Sequence, residues 1–296
     1  MPVSDGTNGY TLGLVGAKGG VGTTVLTSSL AWALAQRGQR VVLLDLDVHS
    51  GQAALHLCER NAGPTVREAM GVIERMDDTL LDTLLTPCSP ALRLLPAPRQ
   101  WWPQATEPSL EGSGLSKLVH TASALADWVL IDLPNGAMLH EGLSPLLQDL
   151  DEVMLVTEPT LPATFNARRA WQWLREHRAP TSTAGRPGIG LVLNKVQGSH
   201  TLPTEQVART LGLDGTPAQW LEMPRSDATV ARATYQGQAV GAVDARDPLA
   251  RAVSRWAADL AADLAAHGAQ AEPRTAAITP THDHRPWHER LLRWAS

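Results

Sequence analysis

The stretch Ala17-Lys18-Gly19-Gly20-Val21-Gly22-Thr23-Thr24 combines the residue types that phosphate chemistry needs. Glycines let a backbone turn and aim successive N–H groups inward, and a helix starting at the end of such a loop adds its positive N-terminus. Lys18 brings a full positive charge, and the Thr24 hydroxyl stands where it can reach a Mg²⁺ ion on the phosphates. Carboxylates occur at two other strand-like ends, Asp45-Leu46-Asp47 after RVVLL and Asp132 after DWVLI. Acids at the C-terminal ends of strands beside such a loop suit magnesium and water. They can also do no more than cap the helix that follows.

The standard loop pattern is G-x-x-x-x-G-K-[ST], and this loop departs from it twice. Ala17 stands at the first glycine, and Thr23 stands where the phosphate-binding lysine belongs. A lysine does appear early, at Lys18. The arrangement K-G-G-x-G-x-T resembles the deviant Walker A loop of the MinD/ParA family. That resemblance implies an ATP- and Mg²⁺-binding switch in which Lys18 reaches across a nucleotide-sandwich dimer to the partner's phosphates. It assigns Gly19, Gly20, Val21, Gly22, Thr23 and Thr24 to the phosphates, Asp47 to the attacking water, and Thr24, Asp45 and Asp132 to the metal shell. It makes Pro134-Asn135-Gly136 the turn that senses the γ-phosphate. The adenine edge falls to Asn194, whose carboxamide offers both donor and acceptor, with Pro224 packing on the base. Most members keep the lysine that Thr23 replaces here, so weak hydrolysis is expected.

The elements that must position these residues follow the chain in a β/α alternation. Leu12, Leu14 and Val15 form the strand before the loop, and Thr23 to Gln36 the helix after it, with Gly38 as a stop. Arg40–Leu44, Asp127–Pro134, Glu152–Thr157, Ile189–Leu193 and Trp220–Met223 read as strands, several continuously apolar as buried parallel strands are. Ser50–Leu57, Val66–Leu85, Leu115–Leu125 and Ala163–His177 read as helices, and Leu92–Leu95 as a further strand. Arg168, Arg169, Arg175 and His177 give one helix a basic edge. Pro248–Ala266 closes the pattern, with Asp247 as N-cap and Pro248 in the favoured first position. The expected fold is a doubly wound, mainly parallel sheet with helices on both faces. Residues 1–10 are expected as a disordered lead, 11–266 as the nucleotide-binding domain and 267–283 as a linker. Residues 284–296 are expected as an amphipathic segment with Trp287, Leu291 and Trp294 on one helical face.

Composition narrows the classes. A chain of 296 residues with 43% hydrophobic residues can bury a sizeable core. No run approaches the ~18 apolar residues of a membrane-spanning helix, and no signal peptide is read before the first strand. A cytoplasmic chain is expected, peripheral at the inner face of the cell membrane if the tail anchors it. A net charge of −5 argues against a general nucleic-acid binder, and sequence-specific DNA contact is not expected. Cys58 and Cys88 have no metal-like spacing and suggest no disulfide framework. Of the three lysines, Lys18, Lys117 and Lys195, two lie in candidate nucleotide motifs.

The phrases DLDVHSGQAALHL, DWVLIDLP and VTEPTLPATFNARRA look most like the CpaE/TadZ branch of pilus-assembly proteins. The residues ahead of Thr11 leave no room for the receiver-like domain usual in that branch, so the expectation rests on the broader family. The leading reading is an ATP-dimerised switch that positions or assembles a cellular machine through a protein partner or, by its tail, a membrane surface. Two alternatives stand beside it: an ATP-binding scaffold with negligible turnover, and a ParA-type DNA-partition ATPase. A metabolic dinucleotide enzyme is disfavoured because G-x-G-x-x-G is absent after the first strand. His282, His284 and His288 invite a metal reading, weakly without a second cluster.

Overall fold

The computed structural model describes residues 8–58, 63–98, 112–139, 143–178, 188–198, 201–213 and 219–268. Residues 269–283 of the expected linker, the expected amphipathic segment 284–296 with Trp287, Leu291 and Trp294, and His282, His284 and His288 lie outside the described residues, whereas 267 and 268 belong to the last helix.

Eight strands form one sheet: β1 (Tyr10–Gly16), β2 (Val41–Asp45), β3 (Thr86–Ser89), β4 (Leu92–Leu95), β5 (Trp128–Leu133), β6 (Glu152–Thr157), β7 (Ile189–Val196) and β8 (Gln219–Pro224). Their spatial order is β3-β4-β2-β5-β1-β6-β7-β8. Every pairing is parallel except the β3–β4 hairpin. The central strands are buried along their whole length because both faces of the sheet are covered, and alternate side chains feed two separate cores. Val153 and Leu155 enter one, Met154 and Val156 the other.

The first core lies under α3 (Val66–Gly71), α4 (Asp78–Leu84), α5 (Gly112–Leu125), α6 (Leu143–Asp149), α7 (Leu161–His177) and α8 (Thr204–Leu211). The second lies under α1 (Thr23–Ala35), α2 (Ala54–Leu57), α9 (Asp227–Gln236), α10 (Val240–Val243) and α11 (Pro248–Gly268). Trp256 of α11 and Leu30 of α1 are fully buried in that second core. Parallel strands connected this way present all their C-terminal ends along one edge, and that edge carries the candidate site.

Several sequence expectations are refined. The helix expected over Ser50–Leu57 shrinks to Ala54–Leu57, because Asp47 turns the chain first: Ser50 N–H donates to Asp47 Oδ1 at 3.0 Å. The helical stretch Val66–Leu85 is broken into α3, a short 3₁₀ turn at Ile73–Arg75, and α4. One cap opens the stretch and a second, after the 3₁₀ turn, starts a new helix. Thr65 and Glu68 form a capping box on α3, and Asp77 accepts from Leu80 N at 2.8 Å to start α4. The hairpin strand β3 has no sequence signal.

The reading of the cysteines is corrected. Cys58 at the end of α2 and Cys88 in β3 are joined as a disulfide with Cα atoms 5.2 Å apart. A separation of 30 residues carries no framework pattern; the sheet brings the pair together by laying the β3–β4 hairpin beside β2. At the other end of the domain, Asp247 caps α11 as expected, accepting from Leu249 N at 2.8 Å.

Candidate functional site

β1 ends at Gly16 and α1 begins at Thr23. Between them Gly20 (φ 80°) and Gly22 (φ 94°) hold left-handed backbone, which L side chains resist. At Gly22 a Cβ would also stand 2.5 Å from Asn194 Nδ2. A Cβ at Gly16 would lie 2.8 Å from the Thr23 hydroxyl, so Thr23 leans back over the strand end. Its short, uncharged side chain puts no positive charge into the loop. The N-cap of α1 is Gly22, which has no side chain to offer, so the start of the helix turns its first N–H groups towards the loop, where an anion suits them.

The acids converge beside the loop. Asp45 and Asp132 are direct neighbours in the β2–β5 pairing, and both are buried, each 1% exposed. Asp45 Oδ1 accepts from Asp47 N at 3.3 Å and Oδ2 from Ala53 N at 3.0 Å. Gly51 leaves room for this carboxylate, since a Cβ there would sit 2.3 Å from Asp45 Oδ1. Burial first, then the neighbouring Asp132, push the Asp45 carboxyl well above its usual range. Burial pushes Asp132 up to about 7, opposed by hydrogen bonds from Thr24 and Thr27; Thr27 Oγ1 lies 3.4 Å from Asp132 Oδ1. The other oxygen, Oδ2, is buried with no hydrogen-bond partner among the described residues. An orphaned carboxylate oxygen next to a threonine hydroxyl fits a hard divalent cation, which takes oxygen ligands. Thr24 and Asp132 would hold Mg²⁺ there, with Asp45 beside them.

On the opposite side of the loop the site is cationic. Lys18 Nζ lies 2.9 Å from Glu158 and donates to Gly19 O at 3.2 Å. Lys195 Nζ lies 3.2 Å from the other Glu158 oxygen and also donates to Gly20 O. Burial raises the Glu158 carboxyl, but hydrogen bonds from both lysines more than offset it and hold it below its usual range. Asn194, expected at the adenine edge, donates from Nδ2 to Val21 O at 2.8 Å and accepts from Lys195 N at 2.9 Å. Its carboxamide therefore braces the loop from the end of β7. Pro224 pairs with Val196 across the β7–β8 ends. A cleft of about 570 Å³ opens there between Val196, Gln197, Arg225 and Asp227.

The structure thus gathers Lys18, the glycine loop, Thr24, Asp45, Asp47, Asp132, Asn194 and Pro224 on one edge of the sheet. Sequence reasoning gives no role to Glu158 or Gly51, and marks Lys195 only as a lysine within a candidate nucleotide motif, without a partner or a place at the loop. Glu158 directly follows a strand expected at this edge, and that position was the one available signal.

A glycine loop between a central parallel strand and a helix, with strand-end acids beside it, defines a P-loop nucleotide-binding protein. Residues 12–240 match the CobQ/CobB/MinD/ParA nucleotide binding domain, and the chain belongs to that family. Among curated proteins it is 26% identical over 222 residues to the septum site-determining protein MinD of Thermotoga maritima, covering 70% of this chain and 73% of that one. It is 32% identical over 140 residues to the cellulose biosynthesis protein BcsQ of Salmonella typhimurium, covering 47% of this chain and 53% of that one. For several such relatives the chain spans only about half to two thirds of their length. Among solved structures, a ParA family ATPase from Chlorobium tepidum superposes with a TM-score of 0.74 at 24% identity, over 86% of this chain and 99% of that one. MinD from Pyrococcus horikoshii, solved with Mg-ADP, superposes with a TM-score of 0.64 at 20% identity, over 85% and 95%. Those two likenesses establish the fold.

Proposed function

We propose that this chain binds ATP with Mg²⁺ and acts as a dimerising switch that positions or assembles a larger cellular machine. The observation that carries the reading is the buried, unpartnered Oδ2 of Asp132 beside Thr24 at the mouth of the glycine loop. Mg²⁺, when bound, supplies charge neutralisation at the phosphates. The loop N–H groups and Thr24 hold the phosphates, and Asp47, at the turn after β2, orients water. Pro224 packs on the base, and Asn194 keeps its remaining N–H for the adenine edge. Lys18 leaves Glu158 to reach the phosphates of a second copy.

Thr23 argues for slow turnover, at or below the ~1 s⁻¹ floor of typical enzymes. A scaffold without turnover is the second reading, favoured by that same residue. The first turns of α7 expose Leu161 and Phe165, 58% and 61% accessible, beside Arg168 and Arg169; this supports a protein partner there. Residues 284–296 are assigned to membrane or partner docking, and the pilus-assembly branch is the process the sequence phrases favour. Among the described residues no helix is long and apolar enough to cross a membrane.

Calorimetry with ATP–Mg²⁺ tests the core of this reading. The expected Kd is micromolar or weaker, about 8 kcal/mol or less by affinity arithmetic. No heat at ~1 mM nucleotide, about 4 kcal/mol, would end it. Light scattering on the same samples should show the dimer only with ATP. Flotation on anionic vesicles should need both ATP and residues 284–296; equal flotation without them leaves partner docking as the tail's role.

A further inference from the structure

The loop lacks a lysine at position 23, yet a second ammonium reaches it from elsewhere in the fold. We infer that Lys195 supplies the phosphate-directed charge that Thr23 cannot, with Glu158 as the counter-ion that holds it, and Lys18, in place until phosphate arrives. This rests on the nucleotide reading above and goes beyond it by naming a binding residue that the loop pattern does not contain.

Three observations carry the inference. Lys195 Nζ donates to Gly20 O, so the ammonium already sits on the carbonyl rim of the glycine loop. Its backbone has φ 58°, the one positive value at a non-glycine residue among those described. A lysine in that sparsely populated region persists only when its surroundings over-determine it. They do so here: Asn194 ties the same turn to Val21 O and to Lys195 N, which fixes the root of the lysine against the loop. The third observation is Glu158. Its two carboxylate oxygens take one lysine each, at 2.9 and 3.2 Å, and its side chain is only 14% accessible.

A half-buried carboxylate shared by two ammonium groups leaves a net positive charge at the loop mouth. A polyphosphate offers those ammonium groups more negative charge than Glu158 does, and the stem of Lys195 is long and flexible enough to turn towards it. Thr23 has no reach and no charge to contribute, so charge directed at the phosphates has to come from another side chain at the loop. Lys18 is committed by the dimer reading to a second copy. Lys195 is the remaining lysine at the loop.

The test is a double-mutant cycle on ATP–Mg²⁺ affinity, measured by calorimetry on the full chain: wild type, Lys195→Met, Thr23→Lys, and the two combined. Hydrogen bonds to charged groups contribute about 1.5–3 kcal/mol, so Lys195→Met should weaken binding about 10- to 100-fold. Thr23→Lys should tighten it, and in that background Lys195→Met should cost less than about threefold, because the restored loop lysine does the same work. Glu158→Gln, which frees both ammonium groups, should tighten ATP binding severalfold.

Lys195→Met binding within twofold of wild type overturns the inference. So does an equal fold-loss in both backgrounds, which would make Lys195 a brace of the loop and not a phosphate ligand. If Lys195→Met does not fold by circular dichroism, Lys195→Gln in the same two backgrounds decides by the same criteria. Should Thr23→Lys bind nucleotide while wild type does not, the inference fails and the loop reading stands. Should neither bind, the nucleotide reading itself fails.

Discussion

The two sides of the glycine loop are built on opposite principles. On the acid side, Asp45 and Asp132 are fully buried, and Asp45 is fixed by backbone donors from Asp47 and Ala53. On the cation side, Lys18, Glu158 and Lys195 are partly exposed and hold one another through ion pairs. Burial makes the acid side expensive to rearrange, since a buried carboxylate displaced from its donors loses them outright. Partly exposed ion pairs cost little to exchange. One side is held rigidly and the other can exchange partners, which is what the proposed nucleotide role would use. A nucleotide switch needs both: a site that is already there, and charges that can change partners.

The comparison breaks most sharply at Asp132. Asp132→Asn keeps the shape of the side chain and its neighbours Thr24 and Thr27 but removes the buried anionic oxygen. Affinity for ATP–Mg²⁺ should fall from micromolar towards millimolar, about 4 kcal/mol, while affinity for metal-free nucleotide should change little. Calorimetry with Mg²⁺ and with a chelator reads this directly. If the variant keeps a Mg²⁺ dependence equal to wild type, the acid side is a structural feature and not the receptor.

Much of this edge was legible from the chain because its logic is local. A strand ending in Asp beside a glycine loop can be seen in DWVLIDLP, and Asp45-Leu46-Asp47 follows a buried strand by simple succession. The reading left open whether those acids bind metal or cap the next helix. The structure shows Asp45 accepting from the Ala53 N–H just ahead of α2, a bond that ties the turn after β2 to the strand end. Glu158 was not legible as a counter-ion, because its partners stand 140 and 37 residues away and meet it only once β1, β6 and β7 lie side by side. The same holds for Gly51, whose lack of a side chain matters only against Asp45 and Ala97. Cys58 and Cys88 were misread for that reason too: their pairing is tertiary.

That disulfide gives the next largest effect, and it belongs to the acid side. The chain leaves Asp47, turns, runs through α2 and is joined at Cys58 to the hairpin strand β3. Closing this loop of 30 residues should stabilise the domain by about 3.6 kcal/mol through the unfolded chain. Cys58→Ser should lose that amount in urea unfolding without reductant, and should match the wild type when both are reduced. Equal midpoints under non-reducing conditions would show that the thiols stay free in the folded protein, and the acid side would lose one of its braces.

The smallest stability effect is expected on the cation side, and its smallness is what sharpens the contrast. Lys18 and Glu158 form a partly exposed pair, with the lysine side chain 29% accessible. Such a pair gains modest Coulomb energy in a high local dielectric and loses side-chain entropy in holding its geometry, so it contributes about 0–1 kcal/mol. Lys195 remains on Glu158 when Lys18 is removed, so no carboxylate is left without a cation. Lys18→Ala should therefore shift the melting temperature by no more than about 3 °C. The same substitution should abolish the ATP-dependent dimer in light scattering while leaving nucleotide binding to the single copy. A large fall in melting temperature would place Lys18 among the groups that hold the fold together. A normal ATP dimer would remove its role across the interface. Little change in stability together with loss of the dimer is the result that separates a movable charge from a fixed receptor.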